Sequence, residues 1–365
     1  MKSKNLIKIY YLILILLLLP SCKNKEVNKS SDKTKDAVNS ISNTGGEYKK
    51  NKEYTDAFDK FENKKFREAY PRFIELIKKY PNDLELNYAI GYIAAKSKNI
   101  PIARKFLLKT IEIDKRKWQA YKELAIMYKS VYNYKESLKW VKKVFKYEEN
   151  DPMSNFIMGY LSNKLEKNDD AYIYYERAIN SSSTYMLAYI HYGEFYFSRK
   201  QYDKAEKVWK EGLKKRYSNT IAKRLGSLYI TTQNYTNALN IYNELIKRYP
   251  KNAESYFYIA KVYEGLNDFI KAEEFYKKSL SFSKSYDSPK LALAKIYIKQ
   301  KKYNDALDIY KELNDKMIDK TTFYLYKQAL ILKKLKNTKK YNDIIKELKK
   351  SKLQQSKDYL QLLKK

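Results

Sequence analysis

Small residues recur along this chain at an almost constant spacing. Ala or Ser occupies one series of positions, separated by 34 residues at every step except one step of 33: Ala69, Ala103, Ser137, Ala171, Ala205, Ala238, Ala272 and Ala306. A second series of Gly or Ala lies twelve residues earlier: Ala57, Gly91, Ala125, Gly159, Gly193, Gly226, Ala260 and Ala294. A fixed period of this length predicts a stack of similar units, which we number repeats 1–8, each burying its apolar face against its neighbours.

Large apolar side chains flank most positions of the Ala/Ser series, three residues before and four residues after. In repeat 7, for example, Phe269 and Tyr276 flank Ala272. Offsets of three and four lie on one helix face, so the pattern predicts helices. Because two helices approach to about 8–10 Å only where no bulky side chain stands at their crossing, we expect the small residues of the two series to face each other.

The pattern resembles the tetratricopeptide repeat, a helix-turn-helix unit of this length. Repeat 7, residues 253–284, has matching residues at the positions characteristic of that family: Tyr256, Ala260, Tyr263, Phe269, Ala272, Tyr276 and Ser279. The resemblance covers residues 53–317 as eight repeats, and residues 318–365 read as a degenerate repeat with C-terminal capping helices. It implies an all-α fold, a right-handed superhelical solenoid whose first helices line a concave groove. A hydrophobic content of 44% with few Gly and Pro agrees with this class.

Residues 1–21 have the pattern of a secretory signal peptide. Three lysines precede an apolar run at 9–19, which is too short to span a bilayer about 30 Å thick. The sequence Leu19-Pro20-Ser21-Cys22 resembles the lipobox of bacterial lipoproteins, in which the cysteine is acylated and cleavage falls just before it. The resemblance implies export to the bacterial cell envelope and a membrane anchor on Cys22. The alternative is an ordinary signal peptide with an incidental cysteine.

Residues 22–52 comprise Cys22 and a polar segment that lacks the apolar content to fold. We expect a flexible tether, with an average reach of about 30 Å.

The net charge of +33 has two interpretations. Such a field attracts anionic lipid headgroups or wall polymers, and residues 333–352, with nine lysines and two acids, are the best candidate for that contact. Alternatively, this segment is the solvated face of a capping helix, and A/T-rich codons account for the excess of lysine. We expect no nucleic-acid partner, because only nine of the 75 basic residues are Arg and an exported protein meets little nucleic acid.

Residue types give little basis for catalysis. His191 is the only histidine, Cys22 is the only cysteine, and no phosphate-binding glycine pattern occurs. Carboxylate-only chemistry, as in glycosidases, needs a deep cleft, whereas a solenoid offers a shallow groove. We therefore predict no enzyme activity, no metal site and no small-molecule cofactor.

The resemblance places a protein or peptide partner in the concave groove. In this register, the inward positions are Tyr88, Tyr92, Lys122, Phe156, Tyr160, Phe197, Lys223, Lys261 and Lys295, with Lys299 beside them. Our hypothesis is that a peptide binds with its apolar residues toward the early, aromatic repeats and its acidic residues toward the late, basic ones. The alternative is that several of these aromatics pack against adjacent repeats. The carboxylate clamp of chaperone-binding repeats is not predicted, because no repeat has Asn at its ninth position.

The function we favour is a non-catalytic, membrane-anchored scaffold or adaptor in envelope assembly or secretion. Two alternatives stay open at this point. One is a lysine-rich binder of anionic membrane or wall polymers, and the other is an accessory subunit of an envelope enzyme.

Overall fold

The computed structural model describes residues 51–316, 321–351 and 353–364, which are mostly helical and contain no strand. The helices in these ranges are α1 (Lys52–Glu62), α2 (Phe66–Lys79), α3 (Leu84–Lys96), α4 (Ile100–Ile113), α5 (Trp118–Ser130), α6 (Tyr134–Val144), α7 (Pro152–Lys164), α8 (Asn168–Ser181), α9 (Met186–Ser198), α10 (Tyr202–Lys215), α11 (Asn219–Thr231), α12 (Tyr235–Arg248), α13 (Ala253–Gly265), α14 (Phe269–Phe282), α15 (Asp287–Lys299), α16 (Tyr303–Lys316), α17 (Thr321–Lys334), α18 (Thr338–Lys350) and α19 (Gln354–Lys364).

The helices pair in chain order, with an odd-numbered first helix and an even-numbered second helix. Helices α1–α16 carry the residues of repeats 1–8, α17 and α18 form a further pair, and α19 packs on both of them. The chain divides into two compact parts, which we describe separately: the first part ends at Ala188 and the second part begins at Tyr189, within α9. This arrangement confirms the all-α repeat solenoid expected from the sequence.

The N-terminal predictions lie almost wholly outside the described residues. The signal peptide at 1–21, the acylated Cys22 and the tether up to residue 50 are in this group. The last two tether positions are described and belong to α1: Asn51 Oδ1 accepts a hydrogen bond of 2.8 Å from the backbone N–H of Glu53, and Lys52 begins the helix. Within the described ranges, no helix is long and apolar enough to cross a membrane.

The small residues of both series are buried. In repeat 3 they face each other as expected, because Ser137 Oγ donates a hydrogen bond of 2.8 Å to the carbonyl oxygen of Ala125. Where the second series has glycine, however, a Cβ added at the glycine would meet a large side chain 16 residues later. The contacting pairs are Gly91 with Leu107, Gly159 with Tyr175, Gly193 with Trp209, and Gly226 with Tyr242.

These glycines therefore make room for a large side chain, which the expected pairing of small with small did not include. The closest case is Gly193, where an added Cβ would lie 2.1 Å from Trp209 Nε1. That indole N–H donates a hydrogen bond of 3.2 Å to the carbonyl oxygen of Ile190, so the ring is held across the first helix.

The turn between the two helices of each pair has a left-handed residue that is not glycine. These residues have φ between 55° and 61°: Lys64, Lys98, Tyr132, Glu166, Lys200, Gln233, Asn267, Lys301 and Lys336. In repeat 6, the backbone N–H of Asn234 bonds to the carbonyl of Tyr229 at 2.8 Å, and that of Gln233 bonds to Ile230 at 3.2 Å. This is a Schellman C-cap. The Asn234 side chain then caps the next helix, so one helix ends where the next begins.

We predict that Gly193→Ala lowers the free energy of unfolding by about 1–3 kcal/mol, because the new methyl group overlaps the Trp209 ring and forces the two helices apart. Urea denaturation followed by circular dichroism measures the change. Lys207→Ala, at an exposed position of α10, is the control and should change the stability little. Equal stability of the Gly193→Ala variant and the wild type would contradict this packing.

We also predict that Gln233→Gly stabilises the protein by about 0.5–1 kcal/mol, since glycine adopts the left-handed conformation without the Cβ penalty and this outweighs its greater freedom in the unfolded chain. The melting temperature should rise. The same substitution at Thr231, an exposed residue of α11, should lower it, because glycine disfavours a helix. A lower melting temperature for Gln233→Gly would contradict the turn geometry.

Candidate functional site

The candidate binding residues lie on the first helices. Each is three residues before, or one, four or five residues after, the Gly or Ala position of its repeat. Side chains at these offsets share one side of a helix, and we call them the first-helix face. The two parts of the chain are described in turn.

Tyr88 and Tyr92 are half-buried on α3, with ring centroids 6.1 Å apart. Tyr92 also packs edge-on against Phe61 and Phe66 of repeat 1, at 5.5 and 5.9 Å. Burial raises the pKa of both phenols, and the nearby Glu123 carboxylate acts in the same direction. Both hydroxyls are therefore protonated at neutral pH. The two side chains combine packing between repeats with a partly exposed ring and a polar tip.

Phe156 and Tyr160 differ in exposure although both are on α7. Phe156 is only 2% exposed and packs against Tyr185 of the next repeat at 5.8 Å, so it does not offer a contact surface; here the expectation from the sequence is wrong. Tyr160 is half-buried, and its hydroxyl lies 3.5 Å from that of Tyr134. Burial and this hydrogen bond raise the pKa of Tyr160 to about 12. Phe156 also packs against Tyr160, with ring centroids 6.3 Å apart.

Phe197, in the second part of the chain, is also half-buried. Its ring lies 5.5 Å from that of Tyr202 and 5.9 Å from that of Trp209. It therefore packs between the two helices of its own repeat and extends the contact that Gly193 and Trp209 make.

Two of the predicted lysines are paired with carboxylates of the following repeat. Lys122 Nζ lies 2.9 Å from Asp151 Oδ1, and both side chains are mostly buried. Lys223 forms the equivalent ion pair with Glu254 in the second part of the chain. Both lysines stand three residues before the Gly or Ala position, and both acids stand at the start of the next first helix. These ion pairs connect successive repeats and reduce the charge offered to a partner.

Glu123 is a buried acid beside this face that the sequence analysis did not select. Its side chain is 6% exposed, and its Oε2 lies 3.5 Å from Lys96 Nζ without accepting a hydrogen bond. Burial raises the pKa of Glu123, and the charges of Lys96 and Lys122 offset this only in part. The one signal in the sequence was its position directly before the apolar run at residues 124–127.

The structure brings Lys261 and Lys295 together in the second part of the chain. With Lys299, they line a shallow depression of about 480 Å³ between α13 and α15. The described ranges contain no ion pair to any of these three lysines. Phe257, Tyr276, Leu291 and Ala292 contribute aromatic and apolar side chains to the lining, and Glu264 and Ser288 contribute polar ones.

His191 takes part in a small ionic cluster on α9. Its Nδ1 lies 3.0 Å from Glu194 Oε2, and Arg224 lies 2.9 Å from the other carboxylate oxygen. Burial favours a raised pKa for Glu194, but the hydrogen bonds and charges of His191 and Arg224 bring it below the ordinary value. Among the described residues, no three His, Cys, Asp or Glu side chains are grouped so as to hold a metal ion.

The chain is similar to known proteins that are built of helical repeats. Residues 231–313 match the family model for subunit 3 of the anaphase-promoting complex (cyclosome). The matched residues make up less than a quarter of the chain. No curated protein sequence matches the chain. Among solved structures, the C-terminal part of a tetratricopeptide-repeat protein from Cytophaga hutchinsonii superposes with a TM-score of 0.54 at 15% identity, over 61% of this chain and 93% of the other. At this identity the likeness shows the fold alone.

Two further structures superpose less closely. A tetratricopeptide-repeat protein from Parabacteroides merdae has a TM-score of 0.48 and 17% identity, over 66% of this chain and 91% of its own. PilF of Pseudomonas aeruginosa has a TM-score of 0.47 and 14% identity, over 62% of this chain and 99% of its own.

We predict that Glu123→Gln gains stability relative to the wild type as the pH rises. The folded-state pKa of Glu123 lies above the ordinary 4.5, so between these two values the unfolded chain loses this proton first and the wild type loses stability with rising pH. Glutamine does not titrate. Urea denaturation from about pH 4 to about pH 7 measures the difference. Glu68→Gln, at an exposed position of α2, is the control. A constant difference between wild type and Glu123→Gln would contradict the burial of this acid.

Proposed function

Because the chain is a tetratricopeptide-repeat protein, we propose that it is a non-catalytic adaptor that binds a partner protein on its first-helix face. The observation that carries the proposal is the half-buried, partly exposed state of Tyr88, Tyr92 and Tyr160. A tyrosine ring offers a large contact area together with a polar tip, and such residues are common energetic centres of interfaces.

The packing of these tyrosines favours binding. Tyr92 is held by Phe61 and Phe66, and Tyr160 is held by Phe156 and Tyr134. A side chain that is already ordered loses little conformational freedom when a partner arrives, so more of the contact energy contributes to affinity. The phenol hydroxyls are protonated at neutral pH and can donate hydrogen bonds to a partner.

For the location of the adaptor, we propose the bacterial cell envelope. The support is the basic start, short apolar run and lipobox-like end at residues 1–22. Acylation of Cys22 would attach the protein to a membrane, and the polar segment after it would let the repeats reach a partner away from the lipid surface. A role in envelope assembly or secretion fits such a position.

A second candidate function is favoured by α18. Lys339, Lys340, Lys346, Lys349 and Lys350 are exposed on this helix, and none of them takes part in an ion pair in the part of the chain that the structure describes. Such a surface attracts anionic lipid headgroups or wall polymers. This binding would weaken steeply with salt and would not depend on the first-helix tyrosines.

We predict that replacing Tyr92 and Tyr160 with Ala lowers capture of the partner at least about tenfold, since loss of two interface aromatics removes a large share of the binding energy. The experiment is chemical crosslinking and affinity capture of the full chain from native membranes, at low and high salt. Helicity should be unchanged by circular dichroism.

The matched control is Tyr172→Ala with Tyr249→Ala, two exposed tyrosines, of which the first is on α8 and the second directly follows α12. It should retain the partner, and the wild type should retain it at high salt. Capture that is equal for both double variants and is lost with salt would contradict the adaptor and support the binder of anionic surfaces.

A further inference from the structure

Two groups of lysines on the first-helix face differ in whether they have a carboxylate partner. Lys96, Lys122 and Lys223 each lie within 4 Å of a carboxylate of the next repeat. Lys261, Lys295 and Lys299 have no such ion pair in the described ranges, although they stand at the same face of later repeats. The ion pairs of the first group stabilise the stack of repeats, and the carboxylates balance the charge of these lysines.

The register of the repeats explains why Lys299 is not paired. It stands five residues after Ala294, as Lys96 stands five residues after Gly91. Lys96 contacts Glu123, which lies two residues before the small residue of the following repeat. The residue at that position after repeat 8 is Lys327, two residues before Ala329. A lysine therefore occupies the place of the balancing acid.

Lys261, Lys295 and Lys299 line a depression to which aromatic and apolar side chains also contribute. Phe257 and the buried Tyr276 pack together with ring centroids 5.7 Å apart. Glu264 is the only acid in the lining, and it accepts a hydrogen bond of 2.8 Å from the Tyr276 hydroxyl. The lining thus has three cationic groups and one carboxylate, so its net charge is positive.

We propose that this depression binds an acidic segment of the partner protein. Side-chain carboxylates of Asp or Glu would pair with Lys261, Lys295 and Lys299, and an apolar side chain between them would lie against Phe257 and Leu291. The proposal rests on the proposed function, binding of a protein on the first-helix face, and names the chemistry of the segment bound in the second part of the chain.

The shape and chemistry of the depression favour a peptide over other anions. A recess of about 480 Å³ accommodates a few side chains, whereas a bilayer surface is flat. The apolar side chains of Phe257, Leu291 and Ala292 suit a segment in which acidic and apolar residues alternate, whereas inorganic phosphate would make no use of them. Lysine is a flexible point charge that does not demand the bidentate geometry of phosphate recognition.

The test uses the full chain and a fluorescein-labelled peptide of about twelve residues, in which Glu and Leu alternate and the C-terminus is amidated. Fluorescence anisotropy measures its affinity. Lys261→Gln with Lys295→Gln should weaken binding at least about tenfold, because two ion pairs in a recess are lost. The control, Lys251→Gln with Lys284→Gln, removes the same charge from two exposed positions, one just before repeat 7 and one at its end, and should have little effect.

Other outcomes would overturn the proposal. Equal weakening by the control variant would show that net charge alone attracts the peptide. Equal affinity for a peptide with Gln in place of Glu would show that the site does not recognise carboxylates. Displacement of the peptide by millimolar inorganic phosphate, or by phosphatidylglycerol vesicles, in the wild type but not in Lys261→Gln with Lys295→Gln would assign the lysines to a phosphate or a lipid.

The outcome for the depression is separable from the outcome for the adaptor. If native partner capture survives in Lys261→Gln with Lys295→Gln and the acidic peptide does not bind the wild type, the inference fails and the adaptor function stands. If no partner is captured but the peptide binds with the expected dependence on the lysines, the adaptor function fails and the acidic-segment site stands.

Discussion

The structure depends on the close crossing of the two helices within each pair. A small residue on the first helix lets a large side chain of the second helix lie directly across it, most closely where Trp209 covers Gly193. Packing of this kind does not depend on paired charges, and it recurs with the sequence period. It sets the rotation of each first helix and therefore decides which side chains reach the first-helix face.

The spacing of small residues was enough to predict the helices, their pairing and the fold class. It could not predict the turns, because left-handed conformation ordinarily calls for glycine and this chain uses residues such as Lys98 and Gln233. There the helix-ending hydrogen bonds, repeated in every pair, hold a conformation that local preference disfavours. Composition also does not show the capping residue at which a helix begins. Asn51 caps α1, although residues up to 52 read as a polar tether.

The candidate site was predictable only as a set of positions. Register placed Tyr92, Tyr160 and Lys261 on one side of the first helices, but burial depends on the neighbouring repeat. Phe156 is covered because Tyr185 packs on it, a contact 29 residues distant in sequence. Pairing of Lys96 with Glu123 depends in the same way on how successive first helices are stacked. A single amino-acid sequence does not show which residues of successive repeats are in contact.

The excess of lysine also has a different meaning in different places. Lysines such as Lys122 neutralise acids of the next repeat and stabilise the stack, whereas Lys261 and Lys295 face a recess without that balance. Net charge alone does not distinguish these roles. The distribution of ion pairs distinguishes them, because lysines without a carboxylate partner lie on the face that a partner protein would use.

The most direct test of the account is site-specific photo-crosslinking in cells that make the full chain. A benzophenone side chain would replace Tyr92 or Lys261 on the first-helix face, and Tyr172 or Phe282 on second helices, where both are exposed. We predict crosslinks to a discrete protein from the first two positions only. Crosslinks from the second-helix positions, with none from Tyr92 or Lys261, would contradict binding on the first-helix face.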